Sequence, residues 1–276
     1  LNHGGSRKQR ETKQQTQKLE TRNQKLETTN FPTSMRFRVV TYNIHRCRGL
    51  DRRVRPARIV EVLREMDADI IALQEVLSLR GAAREKDQAR YISEEMGMTC
   101  VVGGTRIHHG GIYGNAVLTR LPLVETRNYD ISVRGREQRG CMRADITANG
   151  GGLLHVFNVH LGTAFIERRH QARKLVNSVI LNSEELSGPR IMLGDFNEWT
   201  RGLTTRLLAS HLRSADVRAH LPRSKTYPGV LPFLHLDHVY FDDLLELEAM
   251  SLHKSRTALV ASDHLPLVAD FRIKQD

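Results

Sequence analysis

Two apolar runs decide most of what this chain can fold into. IIALQEV at 70–76 and IMLGDFN at 191–197 are continuous rather than alternating, until each turns acidic. A short continuous apolar run is the pattern of a strand covered on both faces. Buried strands of this kind require sheets with further layers packed on them. RFRVVTYN at 36–43 is β-branched and aromatic, and reads as another strand. Pro56 opens a predicted helix carrying Ile59, Val62, Leu63 and Met66 at helical spacing. A second helix is expected around Tyr91, Ile92, Glu95 and Met96. The longest is expected from about 164 to 182, with Ala172, Leu175, Val176, Val179 and Ile180 on one face and Gly188-Pro189 as its stop. Further strands are expected at 115–119, 141–147, 153–161, 236–241 and 266–272, with a short helix around 203–212. Asn149-Gly150-Gly151-Gly152 reads as a hairpin turn. Helices and strands alternate, yet neighbouring strands are often joined by hairpins. That combination predicts mixed sheets with helices outside, not a purely parallel doubly wound sheet.

The first 34 residues stand apart. They are rich in Lys, Arg, Gln and Thr and almost free of apolar side chains. Such a segment cannot offset its ordering entropy by burial, so 1–34 is expected to be a disordered basic tail and 35–276 the folded domain. The tail is either a plain solvated extension or an arm for polyanions. It lacks the apolar core of a secretory signal. The chain starts at Leu1, as a trimmed product or an incomplete reading frame would. Across the whole chain 42 Lys and Arg face 31 Asp and Glu, a formal charge of +11. That excess favours nucleic acid, anionic lipid headgroups or phosphorylated metabolites as partners. No apolar run approaches the ~18 residues of a membrane span. Cys47, Cys100 and Cys141 are odd in number and form no CxxC pair, which points to a reducing, cytoplasmic setting.

The chemistry is expected where apolar strands turn polar. Asn43 closes TYN, Glu75 closes LQE, His160 closes NVH, and Asp195 and Asn197 close GDFN. Asp237 interrupts LDHVYF, and Asp263-His264 precede the last strand. Singly, each is ordinary turn, cap or core chemistry. Together, so many charges at strand ends would be costly to desolvate unless they converge on a cation or on one another. Glu and Asp oxygens with an Asn amide make a hard, oxygen-rich site suited to Mg²⁺. No HExxH or Cys-rich spacing points to zinc. No Walker loop, GxSxG elbow or GxGxxG is present.

In chain order, TYNIH, LQEV, GNAVLTRLP, NVHLG, GDFNEW, LDHVYF and SDHLPLVADF resemble the endonuclease/exonuclease/phosphatase superfamily, over about residues 35–273. EQRGCMRADI, HLGTAFIERRHQ and KTYPGVLPFLHLDHVYF are most similar to small bacterial stand-alone members. The resemblance implies a four-layer α/β sandwich, with two mixed β-sheets face to face, helices outside and the site at one rim. It implies Mg²⁺, with Mn²⁺ as a substitute, held by Glu75 and Asn43, with Asp263 at a second metal or a water. It assigns Asp195 to the attacking water, Asn197 to a phosphate oxygen or that water, and His264, fixed by Asp237, to the scissile phosphate. His160 steadies the transition state or serves the leaving group, while Asn115 and Arg139 support the phosphate. His45 stands where some abasic-site endonucleases carry an acidic metal-site residue, so a strong second metal site is not expected there. Trp199 either stacks on a base or headgroup or packs at the rim.

The leading expectation is a monomeric Mg²⁺-dependent phosphoesterase cleaving phosphodiesters, in nucleic acid or a similar substrate. The alternatives are a lipid or inositol-type phosphatase, a sphingomyelinase-like phospholipase, or a non-catalytic polyanion-binding protein. Deleting residues 1–34 separates the two readings of the tail. An arm requires weaker DNA binding with a shallower salt dependence, whereas a plain extension leaves both unchanged.

Overall fold

The structure is a computed structural model. It describes residues 35–148, 152–177, 179–199, 202–215, 226–227 and 234–274. The expected tail and residues 149–151 of the predicted turn lie outside them. Two six-stranded sheets run through the described residues. The first has the order β11-β12-β1-β2-β4-β3, from β1 (Arg36–Asn43), β2 (Ile70–Ser78), β3 (Thr99–His108), β4 (Gly111–Thr119), β11 (Leu245–Leu252) and β12 (Leu267–Ile273). The second has the order β5-β6-β7-β8-β10-β9, from β5 (Leu123–Asp130), β6 (Gly140–Thr147), β7 (Leu153–His160), β8 (Arg190–Asp195), β9 (Arg213–Ala215) and β10 (Asp237–Phe241). Each sheet holds one parallel pair, β1–β2 and β7–β8, among antiparallel ones. The connection within each parallel pair carries a helix, α1 (Pro56–Met66) in one and α3 (Phe165–Leu175) in the other. Both sheets are therefore mixed, as the sequence predicts.

The inner faces of the two sheets meet in one apolar core. Phe37, Val39, Ile70 and Ala269 of the first sheet join Met142, Val156, Leu193 and Val239 of the second. The outer face of the first sheet, with Val40, Tyr42 and Leu73, is covered by α1, α2 (Gln88–Met96) and α5 (Ala258–Ala261). The outer face of the second, with Phe157, Met192 and Tyr240, lies under α3 and α4 (Leu203–Ala209). Helix, sheet, sheet, helix is the four-layer sandwich.

Three departures from the sequence reading have physical causes. The helix expected to reach 182 stops at Leu175. The Asn177 side chain accepts from the backbone N–H groups of Val179 and Ile180, both at 3.0 Å, and so turns the chain out of the helix. The strands missed by apolar patterning, β3, β5, β9 and β11, are the four sheet edges. Edge strands carry charges and one-sided packing. Finally, β2 does not end at Glu75. Gln74 and Glu75 together face Asn115 across a bulge, where Leu73 pairs with Ala116 and Val76 with Gly114. Glu75 takes the positive φ of 60° that this requires. The extra residue shifts the inside–outside alternation, so Leu73 and Val76 both pack outward while Gln74 points between the sheets.

That inward Gln74 belongs to a polar seam. Its Nε2 donates to Asn158 Oδ1 on β7 (2.8 Å). Asn158 Nδ2 donates back to Leu73 and Ala116 carbonyls, each at 2.8 Å. Asn115 Nδ2 donates to Asn158 and Gly140 carbonyls. All three side chains are buried. Asn158→Ala removes one side of three of these bonds; Gln74 Nε2 keeps Thr41 Oγ1 and the Ala72 carbonyl, while the Leu73 and Ala116 carbonyls each lose their side-chain donor. Urea unfolding should show a loss of roughly 3 kcal/mol; a loss within ordinary surface variation would show that the seam does not clamp the sheets.

Candidate active site

Strand register delivers most of the site. On the second sheet, His160 pairs with Asp195 across the parallel β7–β8 ladder, and Asp195 with Asp237 across antiparallel β8–β10. These three side chains therefore lie in a row at one sheet end. On the first sheet Asn43 pairs with Gln74, and the bulge sets Glu75 and Asn115 beside it. Gly194 makes the approach of β8 to β7 feasible. A Cβ there would sit 1.9 Å from the Val159 carbonyl oxygen, and its φ is 148°.

Asp195 is the point of convergence. Its Oδ2 accepts from Asn43 Nδ2 of the opposite sheet (3.0 Å) and faces His160 Nε2 (3.6 Å) and His264 Nε2 (3.7 Å). Its Oδ1 accepts from the Asn197 backbone N–H (2.9 Å). Asn197, at φ 49°, turns the chain back, and its Nδ2 donates to the Leu161 carbonyl. Asn43 Nδ2 also reaches Glu75 Oε1 at 3.3 Å. His264 Nδ1 is 2.9 Å from Asp237 Oδ2, which leaves Nε2 directed at the Asp195 carboxylate. Asp237 is fully buried, and its Oδ1 has no hydrogen-bond partner.

Burial sets unequal proton affinities on these groups. It would lower the pKa of His264, but the charges of Asp237 and Asp195 and the Asp237 hydrogen bond overcome it and push the imidazole up to about 10. His264 is thus a cation at neutral pH. Burial raises Asp195 to about 6, against the pull of His264 and with a further push from Asp237. Burial holds His160 well below its ordinary value, reinforced by Arg139, His264 and Arg106. His160 is therefore a neutral imidazole beside a cationic one.

The other expected residues sit further out. Asp263 Oδ1 lies 3.4 Å from His45 Nδ1, facing the residue that stands in the acidic position. Asn115 is buried beneath the site in the polar seam, bonded to backbone. Arg139 pairs with Glu137 (2.9 Å) and keeps its Nε without a partner. Trp199 is 45% exposed, with the Arg168 guanidinium 5.3 Å from its ring centre. Several supporting residues were not anticipated. Ser262 Oγ donates to the Asn43 carbonyl and ties the His264 loop to β1. The Tyr227 ring packs 5.0 Å from that of His264. Arg106 shares Glu137 with Arg139. Gln74, Asn158 and Ser262 fall inside the motifs LQEV, NVHLG and SDH, so position was a signal. Nothing in sequence marked Arg106.

Among the described residues no three His, Cys, Asp or Glu side chains form a metal cage. A hydrated Mg²⁺ needs less, because it keeps several waters and takes one or two carboxylates. Glu75 and Asp195 are aimed at a single amide group from opposite sheets. That hard, oxygen-rich donor set fits such an ion.

The chain matches the endonuclease/exonuclease/phosphatase family over residues 40–264, and it belongs to that family. The family generally hydrolyses phosphoesters, typically with divalent metals. The uncharacterized protein YbhP of Escherichia coli (strain K12) is 30% identical over 247 residues, covering 86% of this chain and 96% of its own length. A Beutenbergia cavernae endonuclease/exonuclease/phosphatase structure superposes with a TM-score of 0.68 at 22% identity, over 86% of this chain and 72% of that one. The human Nocturnin catalytic domain, with bound sulfate, superposes at 0.67 and 20% identity, over 87% and 94%. At such identities the likeness of the two structures concerns the fold.

Both shifted groups make stability fall as pH rises, over different ranges. His264, raised when folded, stabilises the fold fully below its ordinary 6.5, and this is lost as pH climbs towards about 10. Asp195, also raised, binds its proton more tightly when folded. Its ionisation therefore costs stability between 3.8 and about 6, and the cost persists above. Asp195→Asn should raise Tm relative to wild type, by an amount that grows from pH 4 to 6 and then levels off. Parallel melting curves across that range would contradict the assignment. Asp237→Asn should lower the His264 pKa in an NMR titration; an unmoved titration would mean that the two are not coupled.

Proposed function

We propose that this chain is a Mg²⁺-dependent phosphodiesterase that cleaves by in-line attack of water, with nucleic acid or a similar polyanion as substrate. The observation that carries the reading is the convergence of Asn43, His160 and His264 on Asp195 Oδ2, at 3.0, 3.6 and 3.7 Å, in a buried setting that orders their proton affinities. A carboxylate pushed up to about 6 is ionised at neutral pH yet basic enough to accept a proton. It sits beside an imidazole that is cationic at neutral pH and one that is neutral. A protein that only bound polyanions would gain nothing from a buried base.

In this reading the His264 cation binds a non-bridging oxygen of the scissile phosphate through Nε2, with Asp237 fixing the ring. Asp195 orients a water and takes its proton as the oxygen approaches phosphorus. The Asn197 N–H holds Asp195 Oδ1, which keeps Oδ2 towards the water. Neutral His160 donates from Nε2 to the phosphate oxygen that gains charge in the transition state, and Arg139 adds positive potential. Glu75 would hold the divalent ion, which when bound would offset charge on the phosphoryl oxygens; Asn43, whose Oδ1 accepts from the His45 N–H, orients the Glu75 carboxylate through Nδ2. Asp263 and His45 flank that position, and Asn115 supports the bulge that aims Glu75. The excess of basic residues favours a diester within a polyanion over an isolated monoester.

The test is a substrate panel with Mg²⁺: plasmid DNA, abasic DNA, RNA, sphingomyelin, an inositol phosphate and bis-p-nitrophenyl phosphate. Diester and nucleic-acid cleavage is expected; turnover of sphingomyelin or the inositol phosphate alone would favour a lipid or inositol role instead. Glu75→Gln keeps the shape and removes the charge. Its hydrolysis should fall at least ~100-fold, about 3 kcal/mol of transition-state stabilisation. Near-normal turnover at saturating Mg²⁺ would sink the reading.

A further inference from the structure

The loop after β1, the segment leading into α2 and the β3–β4 hairpin enclose a groove of about 470 Å³. Its walls bring together Arg46, Arg48, Arg52 and Lys86, and Glu85 is the one carboxylate among its lining residues. Elsewhere arginines are commonly neutralised: Arg38 by Asp270, Arg58 by Asp51, Arg64 by Glu95. In the groove, no carboxylate among the described residues forms an ion pair with Arg48, Arg52 or Lys86. Like charges converging on a concavity repel one another unless an anion enters. Leu77 and Leu79 contribute apolar surface to the lining.

The groove is built and connected to the catalytic candidates. His45, Arg46 and Cys47 form a left-handed turn, with φ of 45°, 55° and 56°. Such a conformation persists only where the surroundings enforce it. Here Gln88 Nε2 donates to the Arg46 carbonyl (2.6 Å) while its Oε1 accepts from the Leu77 N–H (3.1 Å), and Cys47 is buried below. The result carries the Arg46 guanidinium from the groove to the site, with Nε 4.0 Å from Glu75 Oε2. At the other wall the His108 and His109 rings meet at 4.2 Å, edge to face. Burial and the neighbouring His109, Arg106 and Arg46 hold His108 below its ordinary pKa, so it offers a flat neutral ring.

We propose that this groove is a second anion subsite, which receives a neighbouring phosphate of a nucleic acid strand whose scissile phosphate lies at Asp195 and His264. The inference rests on the phosphodiesterase reading and narrows it to substrates carrying more than one phosphate. Cationic walls with apolar and imidazole surfaces suit a strand, whose backbone tracks the charges while its bases contact the rings. A membrane presents a plane of headgroups and calls for cations on a flat or convex face. These cations line a concavity.

The test is equilibrium binding of a short fluorescent single-stranded oligonucleotide to the full chain, in EDTA, as a function of salt. Arg48→Ala/Arg52→Ala/Lys86→Ala should weaken binding at least ~10-fold. Losing three contacts should lower the slope of log K against log salt by about 2. Lys86→Glu alters one exposed residue and should weaken binding in the same direction, so the test survives if the triple variant folds poorly. Arg127→Ala on edge strand β5 should bind as wild type does. Wild-type affinity and slope in both groove variants overturn the subsite. So does loss of binding to phosphatidylglycerol vesicles with oligonucleotide binding intact, which would assign the groove to a membrane surface. Wild-type hydrolysis of bis-p-nitrophenyl phosphate with Mg²⁺ is measured in parallel. Hydrolysis with groove-independent binding overturns the subsite alone; groove-dependent binding without hydrolysis overturns the catalytic reading.

Discussion

Asn158 holds the two sheets at the distance the site requires. Its side chain spans the gap between them, donating to two carbonyls of the first sheet while accepting from Gln74. Apolar side chains fill the rest of the interface, and apolar packing alone does not fix which residues face each other. Directional bonds among buried groups do, because every misalignment leaves an unsatisfied donor or acceptor. The seam lies directly beneath the site. It sets Asn43 of one sheet 3.0 Å from Asp195 of the other.

That contact explains how one end of an apolar sandwich tolerates so much charge. Asp195 and Asp237 are both buried, and only one imidazole cation is shared between them. Burying ions costs more than pairing them returns unless the geometry is good. The fold responds by holding the His264 proton tightly and by raising the proton affinity of Asp195. Stability is given up at this spot, where an amide, a cationic imidazole and a neutral one surround a single oxygen of Asp195. The bulge in β2 is the same exchange in the backbone, with a left-handed Glu75 in place of a regular pairing.

Charge is organised as well as abundant. Ion pairs flank the sheets and helices, while the groove beside Glu75 gathers Arg48, Arg52 and Lys86, with which no described carboxylate forms an ion pair, next to Arg46, whose Nε lies 4.0 Å from Glu75 Oε2. Potential is thereby concentrated next to the site, where a field from a concave surface acts most strongly on a polyanion.

Much of this was legible before any coordinates. The central strands announced themselves, because strands buried on both faces must be apolar along their length, and their polar ends marked Asn43, His160, Asp195 and Asp237. Mixed pairing followed from hairpins lying beside helical crossovers. The edge strands β3, β5, β9 and β11 were not legible, because one-sided packing leaves no continuous apolar run. The end of α3 was hidden for a different reason: its apolar spacing continues past Leu175, and only the Asn177 side chain breaks it. Sequence named the residues of the site and, through the resemblance, the pairing of Asp237 with His264, which lie 2.9 Å apart; it did not show the contacts of Asn43, His160 and His264 with Asp195. Which histidine carries the charge depends on burial and on distances of a few ångströms between residues far apart in the chain. So does the bulge at Glu75, and so does the meeting of Arg46, Arg48, Arg52 and Lys86 across a groove from His108. Local patterning reports which face of a strand is buried. Only the packing of one sheet on the other decides what each polar end meets there.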